Sequence, residues 1–200
     1  MKLISLAIRC LCASFSLCSV AEGALTYIES TNGDLSGLGA APTILDLGIG
    51  ENTIFGTMGR TTAVDADLFS FSIVGGQSLT SISLLDFAPA NSAFTGSFFA
   101  IAIGSTINTS DGNSHAANSL VDGSPSELLS PDVLLGEKFS GGDSTLTNPL
   151  GPGNYTIWFQ ETSTSVQYTL RFTVVPEPST LALASFAFAL AARRRRSYAG

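Results

Sequence analysis

Few side chains in this 200-residue sequence are of types that do chemistry, and their spacing narrows what that chemistry is. Asp65 and Asp67 stand two apart, so an extended backbone would put both on one face. Two carboxyl groups about 5 to 9.5 Å apart across a sugar are what glycoside hydrolysis requires; a pair of aspartates where a turn enters a strand is the simpler role. His115 is the single histidine, in the run Asp111-Gly112-Asn113-Ser114-His115. No Gly-x-Ser-x-Gly elbow or other nucleophile motif accompanies it, so a Ser-His-acid centre is not supported and a solvated loop histidine is expected. A His-rich zinc site is excluded by the same count. Calcium is the one ion the composition favours, because hard cations take carboxylate and carbonyl oxygens and Asp65, Asp67, Asp111, Asn113 and Asp143 sit in polar surroundings. No EF-hand loop is present, and no other cofactor is expected. Trp158, the single tryptophan, falls in the polar phase of its segment. Exposed, its indole is a platform for a sugar ring; covered, it belongs to a core.

The elements that must position these residues are strands. Phe69, Phe71 and Ile73 alternate with Ser70 and Ser72; Tyr155, Ile157 and Phe159 alternate with Thr156 and Gln160. Tyr168, Leu170, Phe172 and Val174 alternate with Thr169, Arg171 and Thr173. A period of two means one face buried and one wet. Gly75-Gly76 and Gly151-Pro152-Gly153-Asn154 are turn signals, the first leading into a strand from Leu79 to Phe87. Further strands are predicted at Leu25–Ile28, Ile44–Leu47, Thr53–Met58, Ser97–Ile103 and Val133–Phe139. Residues 108–131 read as a long surface loop with a helical turn at Ser126–Leu129. Short strands joined by Gly- and Pro-rich turns give an all-β domain, an antiparallel β-sandwich of jelly-roll-like type.

Charge is unevenly placed. The whole chain carries −7 with 44% apolar and 12% charged residues, but the stretch from Leu25 to Val175 holds fourteen acidic and three basic residues, a net −11. Such a body lacks the electrostatic footprint of a nucleic-acid binder, and the chain is too apolar for disorder. All three cysteines, Cys10, Cys12 and Cys18, lie in the first twenty residues.

Both ends read as addresses. Lys2, a mostly apolar run to Val20 and the small residues Ser19, Ala21, Gly23 and Ala24 have the three-part layout of a secretory signal peptide, predicted as a helix over residues 1–24. Its removal by signal peptidase would take every thiol from the mature chain. At the other end Pro176-Glu177-Pro178 is followed by an apolar stretch and then Arg193, Arg194, Arg195 and Arg196. The stretch from Ser179 to Ala192 would make a helix of roughly 21 Å, short of the roughly 30 Å hydrocarbon core, and the arginines would stay on the cytoplasmic side. The domain plan is therefore 1–24 signal, 25–174 β-sandwich and 175–200 tail, with the inner membrane holding the precursor only transiently.

Residues 175–200 resemble the PEP-CTERM sorting tail of exported Gram-negative proteins: Pro176-Glu177-Pro178, the short apolar helix and the arginine cluster occur in that order. The resemblance implies recognition by an exosortase, which makes Pro176, Glu177 and Pro178 a processing site and not a catalytic one. The body resembles the pre-peptidase C-terminal domain through Asn52-Thr53-Ile54-Phe55-Gly56, Asp65-Ala66-Asp67-Leu68-Phe69-Ser70-Phe71, Gly75, Leu79, Gly153-Asn154-Tyr155-Thr156-Ile157 and Tyr168-Thr169-Leu170. That likeness implies a small β-sandwich that assists secretion or binding without catalysis. This chain departs from it in the long segment between Ile103 and Val133 and in having no catalytic domain beside it. The expectation is a non-enzymatic exported protein of the cell surface or biofilm matrix. A carbohydrate-binding module for exopolysaccharide acting through Trp158, and a glycoside hydrolase, are the alternatives.

Overall fold

The computed structural model describes residues 23–60, 63–88 and 97–177; the expected signal helix and C-terminal apolar helix fall outside them. Among the described residues ten strands run in chain order as β1 (Thr26–Ile28), β2 (Thr43–Ile44), β3 (Gly50–Arg60), β4 (Val64–Ile73), β5 (Gln77–Ala88), β6 (Ser97–Ile103), β7 (Ala117–Val121), β8 (Ser126–Glu127), β9 (Gly153–Gln160) and β10 (Val166–Pro176). A single helical turn, α1 (Glu29–Asn32), follows β1, and a 3₁₀ turn spans Gly112–Ser114. Among the described residues no helix is long and apolar enough to cross a membrane.

One sheet has the order β8-β5-β10-β3-β1 and the other β7-β6-β9-β4-β2. Pairing is antiparallel except for β1 with β3 and β2 with β4. The sheets join where β3 hands over to β4, through Gly59 opposite Asp65 and Arg60 opposite Val64. Gly59 has φ of 112° and lies against the Thr164 carbonyl, so the corner requires a residue without a side chain.

The alternating aromatics meet between the sheets, as the period of two demands. Phe69 of β4 packs edge-on against Phe172 of β10 at 5.9 Å between centroids. Phe159 of β9 packs against Tyr168 of β10 at 4.9 Å and Phe87 of β5 at 6.3 Å. Ile54, Leu79, Ile82, Leu84, Ile157 and Leu170 complete this buried apolar cluster. The all-β sandwich is therefore the observed fold.

Two local expectations are corrected. Ser126–Glu127 is strand and not a helical turn, because the Glu127 carboxylate accepts from the Ile82 amide and the Ser81 and Ser83 hydroxyls and fixes the segment to β5. Val133–Phe139 forms no named strand; the amides of Val133, Leu134 and Leu135 all turn back to the Ser130 carbonyl. Within the stretch read as a surface loop, β7 is paired along β6 and buries Ala117 and Val121.

Candidate functional site

The polar groups with most chemical potential gather where the N-terminal segment crosses both sheets. β1 runs parallel to β3 only as far as Ile28 opposite Phe55. Beyond that point the Glu29 carboxylate takes over the pairing: its Oε2 accepts from the Thr57 amide at 2.6 Å and the Thr57 hydroxyl at 3.0 Å. Its Oε1 accepts from the Leu35 amide at 3.3 Å, which bends the chain so that Asp34 returns beside Glu29. Asp67 projects from β4 into the same place, and one oxygen from each of Glu29, Asp34 and Asp67 lies within 4.8 Å of the others.

The three carboxyls differ in surroundings. Asp34 is exposed, Glu29 is at the margin of burial, and Asp67 has no exposed surface. Both oxygens of Asp67 lack a hydrogen-bond partner, as does the buried hydroxyl of Tyr168. The approach of that hydroxyl to Asp67 is too long or too bent for a conventional hydrogen bond, yet close enough to favour ionised Asp67 and neutral Tyr168. Burial, and then repulsion from Glu29, nevertheless push Asp67 up to about 9, so it carries a proton at neutral pH. Burial raises Glu29 as well, against the hydrogen bonds from Thr57 and Leu35. Tyr168, Glu29 and Asp34 share the wall of an open cleft of about 520 Å³ with Phe55, Gly56, Thr57 and Asp86, among others; none of its lining residues is basic.

Asp65 and Asp67 do share a face of β4, but Asp67 is sealed from solvent and its company is Glu29 and Asp34. The two therefore do not present a surface carboxyl pair to a sugar. Asp65 is half-buried, raised first by desolvation and then by Asp34. The other residues expected to converge on calcium have separate work. Asp111 caps the 3₁₀ turn by accepting from the Asn113 amide at 3.0 Å, and Asp143 forms a backbone bridge with Glu137. Sequence reasoning missed Glu29 and Asp34, because only the return of the 29–35 segment onto β3 and β4 brings them to Asp67.

His115 is buried, not solvated. Nε2 lies 2.7 Å from the Asn108 carbonyl, which can only accept, so Nε2 carries the hydrogen and Nδ1 accepts from Asn118 Nδ2 at 3.3 Å. Trp158 is half-buried against Phe98 at 4.7 Å and His115 at 5.8 Å, on a second apolar cluster that includes Leu68, Ala100, Ala102 and Ile107. Its indole nitrogen is buried without a partner. The outer face of β4, β6 and β9, which periodicity left to water, is in part covered by this cluster.

The root of the C-terminal tail is part of the sheet. Val174, Val175 and Pro176 pair with Leu79, Ser78 and Gln77, and the Glu177 amide donates to the Gly76 carbonyl at 2.8 Å. Pro178 and Arg193–Arg196 lie outside the described residues.

Compared with curated proteins, the chain matches none. Among solved structures it is similar to the 1.0 Å crystal structure of the pre-peptidase C-terminal domain of a collagenase from Bacillus anthracis. The identity is 15% and the TM-score 0.36, over 66% of this chain and 92% of that one. Residues 174–196 match the model of the PEP-CTERM protein-sorting motif. The chain thus carries, from the last strand of its β-sandwich onward, the PEP-CTERM signal of an exported protein processed by an exosortase at a membrane.

Proposed function

We propose that this is a non-enzymatic exported β-domain that exosortase processing leaves at the cell surface or releases into the surrounding matrix. The observation that carries the reading is the continuity of β10 with the matched motif: Val174, Val175 and Pro176 belong to both. The matched motif begins inside the last described strand, as suits a domain whose purpose is to be displayed. A body at −11 stays soluble and meets anionic polymers only where cations bridge them, which fits a matrix component. Buried His115, with both ring nitrogens facing fixed partners, offers no general base to a nucleophile.

Intact mass and N-terminal identification of the exported protein test the reading. The expected product begins after Ala21, Gly23 or Ala24, where signal cleavage is predicted, and lacks the residues from Leu181 to Gly200. Retention of the tail in the mature product contradicts it.

The second reading, a module that binds exopolysaccharide, is favoured by the partial exposure of Trp158 and by Phe139, 63% exposed and set edge-on against Phe98 at 6.5 Å. A glycan array with wild type and Trp158→Ala separates the two, since loss of wild-type signals in the variant supports the module and silence of the wild type removes it. Turnover of exopolysaccharide by the wild type would instead reopen the hydrolase reading.

A further inference from the structure

We propose that the processing enzyme takes the folded domain as its substrate and reads Pro176-Glu177 along the free edge of a strand that stays paired with β5. The proposal rests on the processing reading above and adds the conformation in which the motif is met. Three observations converge on it.

The first is continuity. The matched motif runs from residue 174 while β10 extends to Pro176, so the two share Val174, Val175 and Pro176. Pro176 stands opposite Gln77, and the Glu177 amide carries the ladder one step further by donating to the Gly76 carbonyl at 2.8 Å. The second is which edge is taken. Leu79 gives its amide to the Leu150 carbonyl at 2.9 Å, on the side away from β10. Backbone groups alternate between the two edges of a strand, so Ser78 and Gly76 turn toward β10 and meet Val175 and Glu177. Pro176, lying between those two, turns to the opposite edge. β3 begins at Gly50 opposite Val174, so among the described residues no strand lies beside Pro176 on that side. The third is exposure: Val174 is buried and Val175 half-buried, whereas Pro176 and Glu177 are exposed.

An exposed sheet edge is where an extended segment of another chain adds by main-chain hydrogen bonds. Proline is tolerated at such an edge because the N–H it lacks would face no partner. Pro176 therefore costs the sheet no hydrogen bond, denies a second copy of the chain a donor at that position, and leaves its carbonyl as an acceptor next to the exposed Glu177. The surface fits a partner that brings N–H donors or a cation, and the residues such a partner reads are already ordered by β5. A backbone fixed in extended form before binding lowers the ordering cost of association, so the sheet contributes to recognition without itself touching the enzyme.

The test follows loss of residues 181–200 by intact mass, in a pulse-chase of cells that export and process the protein. Val175→Cys combined with Ser78→Cys clamps the root of the tail. Residues facing each other in a hydrogen-bonded antiparallel pair stand about 5.5 Å apart at Cα, within disulfide reach, and the sequence has no cysteine after Cys18 to compete. With that bond closed, the tail should leave at the wild-type rate. Retention of the tail while the bond is closed, relieved by reductant, overturns the proposal, because the enzyme would then need the strand peeled away. Gly-Ser-Gly-Ser inserted between Val175 and Pro176 asks the converse without a disulfide, since it moves the motif off the sheet and leaves its relation to the apolar stretch unchanged. That variant should keep the wild-type melting temperature and lose its tail at least about fivefold more slowly, the factor carried by ordering one backbone residue. A wild-type rate in the insertion variant overturns the proposal. Retention of the tail by the wild type itself overturns the processing reading as well, so the two failures are told apart.

Discussion

Tyr168 of β10 stands directly opposite Gly56 of β3, and its ring and hydroxyl fill the space a Cβ on residue 56 would occupy. The pair decides how Tyr168 reaches Phe159 on the inner side and Asp67 at its hydroxyl end. Gly56→Ala should therefore act as an overpacking change, costing about 1–3 kcal/mol. Urea denaturation checks this, and a stability unchanged from wild type would mean that the ring moves aside freely.

The same tyrosine carries a hydroxyl with no conventional partner. Removing an unsatisfied buried polar group while keeping the ring is neutral or stabilising. Tyr168→Phe should melt at or above the wild-type temperature, whereas a clear drop would reveal a partner for the hydroxyl.

Asn52 is the opposite case, a buried side chain with every polar atom in use. Its Oδ1 accepts from the Leu25 and Gly48 amides at 2.8 and 2.9 Å; its Nδ2 donates to the carbonyls of Gly48, Gly50 and Phe172. Asn52→Ala leaves those groups unpaired under the N-terminal segment and should cost at least about 3 kcal/mol, as several lost buried hydrogen bonds imply. Denaturation midpoints measure the loss, and rapid exchange of the Leu25 amide would locate it.

Glu161 supplies a pH dependence. Burial alone would raise it, but donors from Ser163, Ser97 and Thr162 outweigh that and hold it below its ordinary 4.5. A carboxylate lowered on folding contributes stability above its unfolded value, and that contribution is lost as pH falls through the folded one. Stability should therefore decline more steeply with acid below about pH 4.5 in wild type than in Glu161→Gln. Parallel acid titrations of the two proteins would sink the idea.

The strands of this fold were legible because a half-buried strand writes its period into sequence: Phe69-Ser70-Phe71-Ser72-Ile73 is sufficient by itself. β7 was not, since Ser119 takes the position between Ala117 and Val121 on their face, Leu120 is exposed, and Asn118 is buried through hydrogen bonds to Gly112, His115 and Ser140. Hydrogen bonding, unlike apolar burial, leaves no periodicity. The tail was legible because three unlike parts in fixed order form a specific signal. The carboxyl cluster was half legible: Asp67 drew notice, but Glu29 and Asp34 lie more than thirty positions away and meet it only through topology.

The position of β10 in its sheet also sets a timetable. It is the last strand of the described chain, yet it lies between β3 and β5 and pairs with both along most of its length. A chain crossing a membrane N-terminus first would deliver β3 and β5 with an empty lane between them, and the sheet could close only on arrival of Val166–Pro176. Four residues, 177–180, separate that strand from the apolar stretch beginning at Leu181, at most about 14 Å of extended chain. Completion of the fold and arrival of the sorting signal at the bilayer are thus nearly the same event.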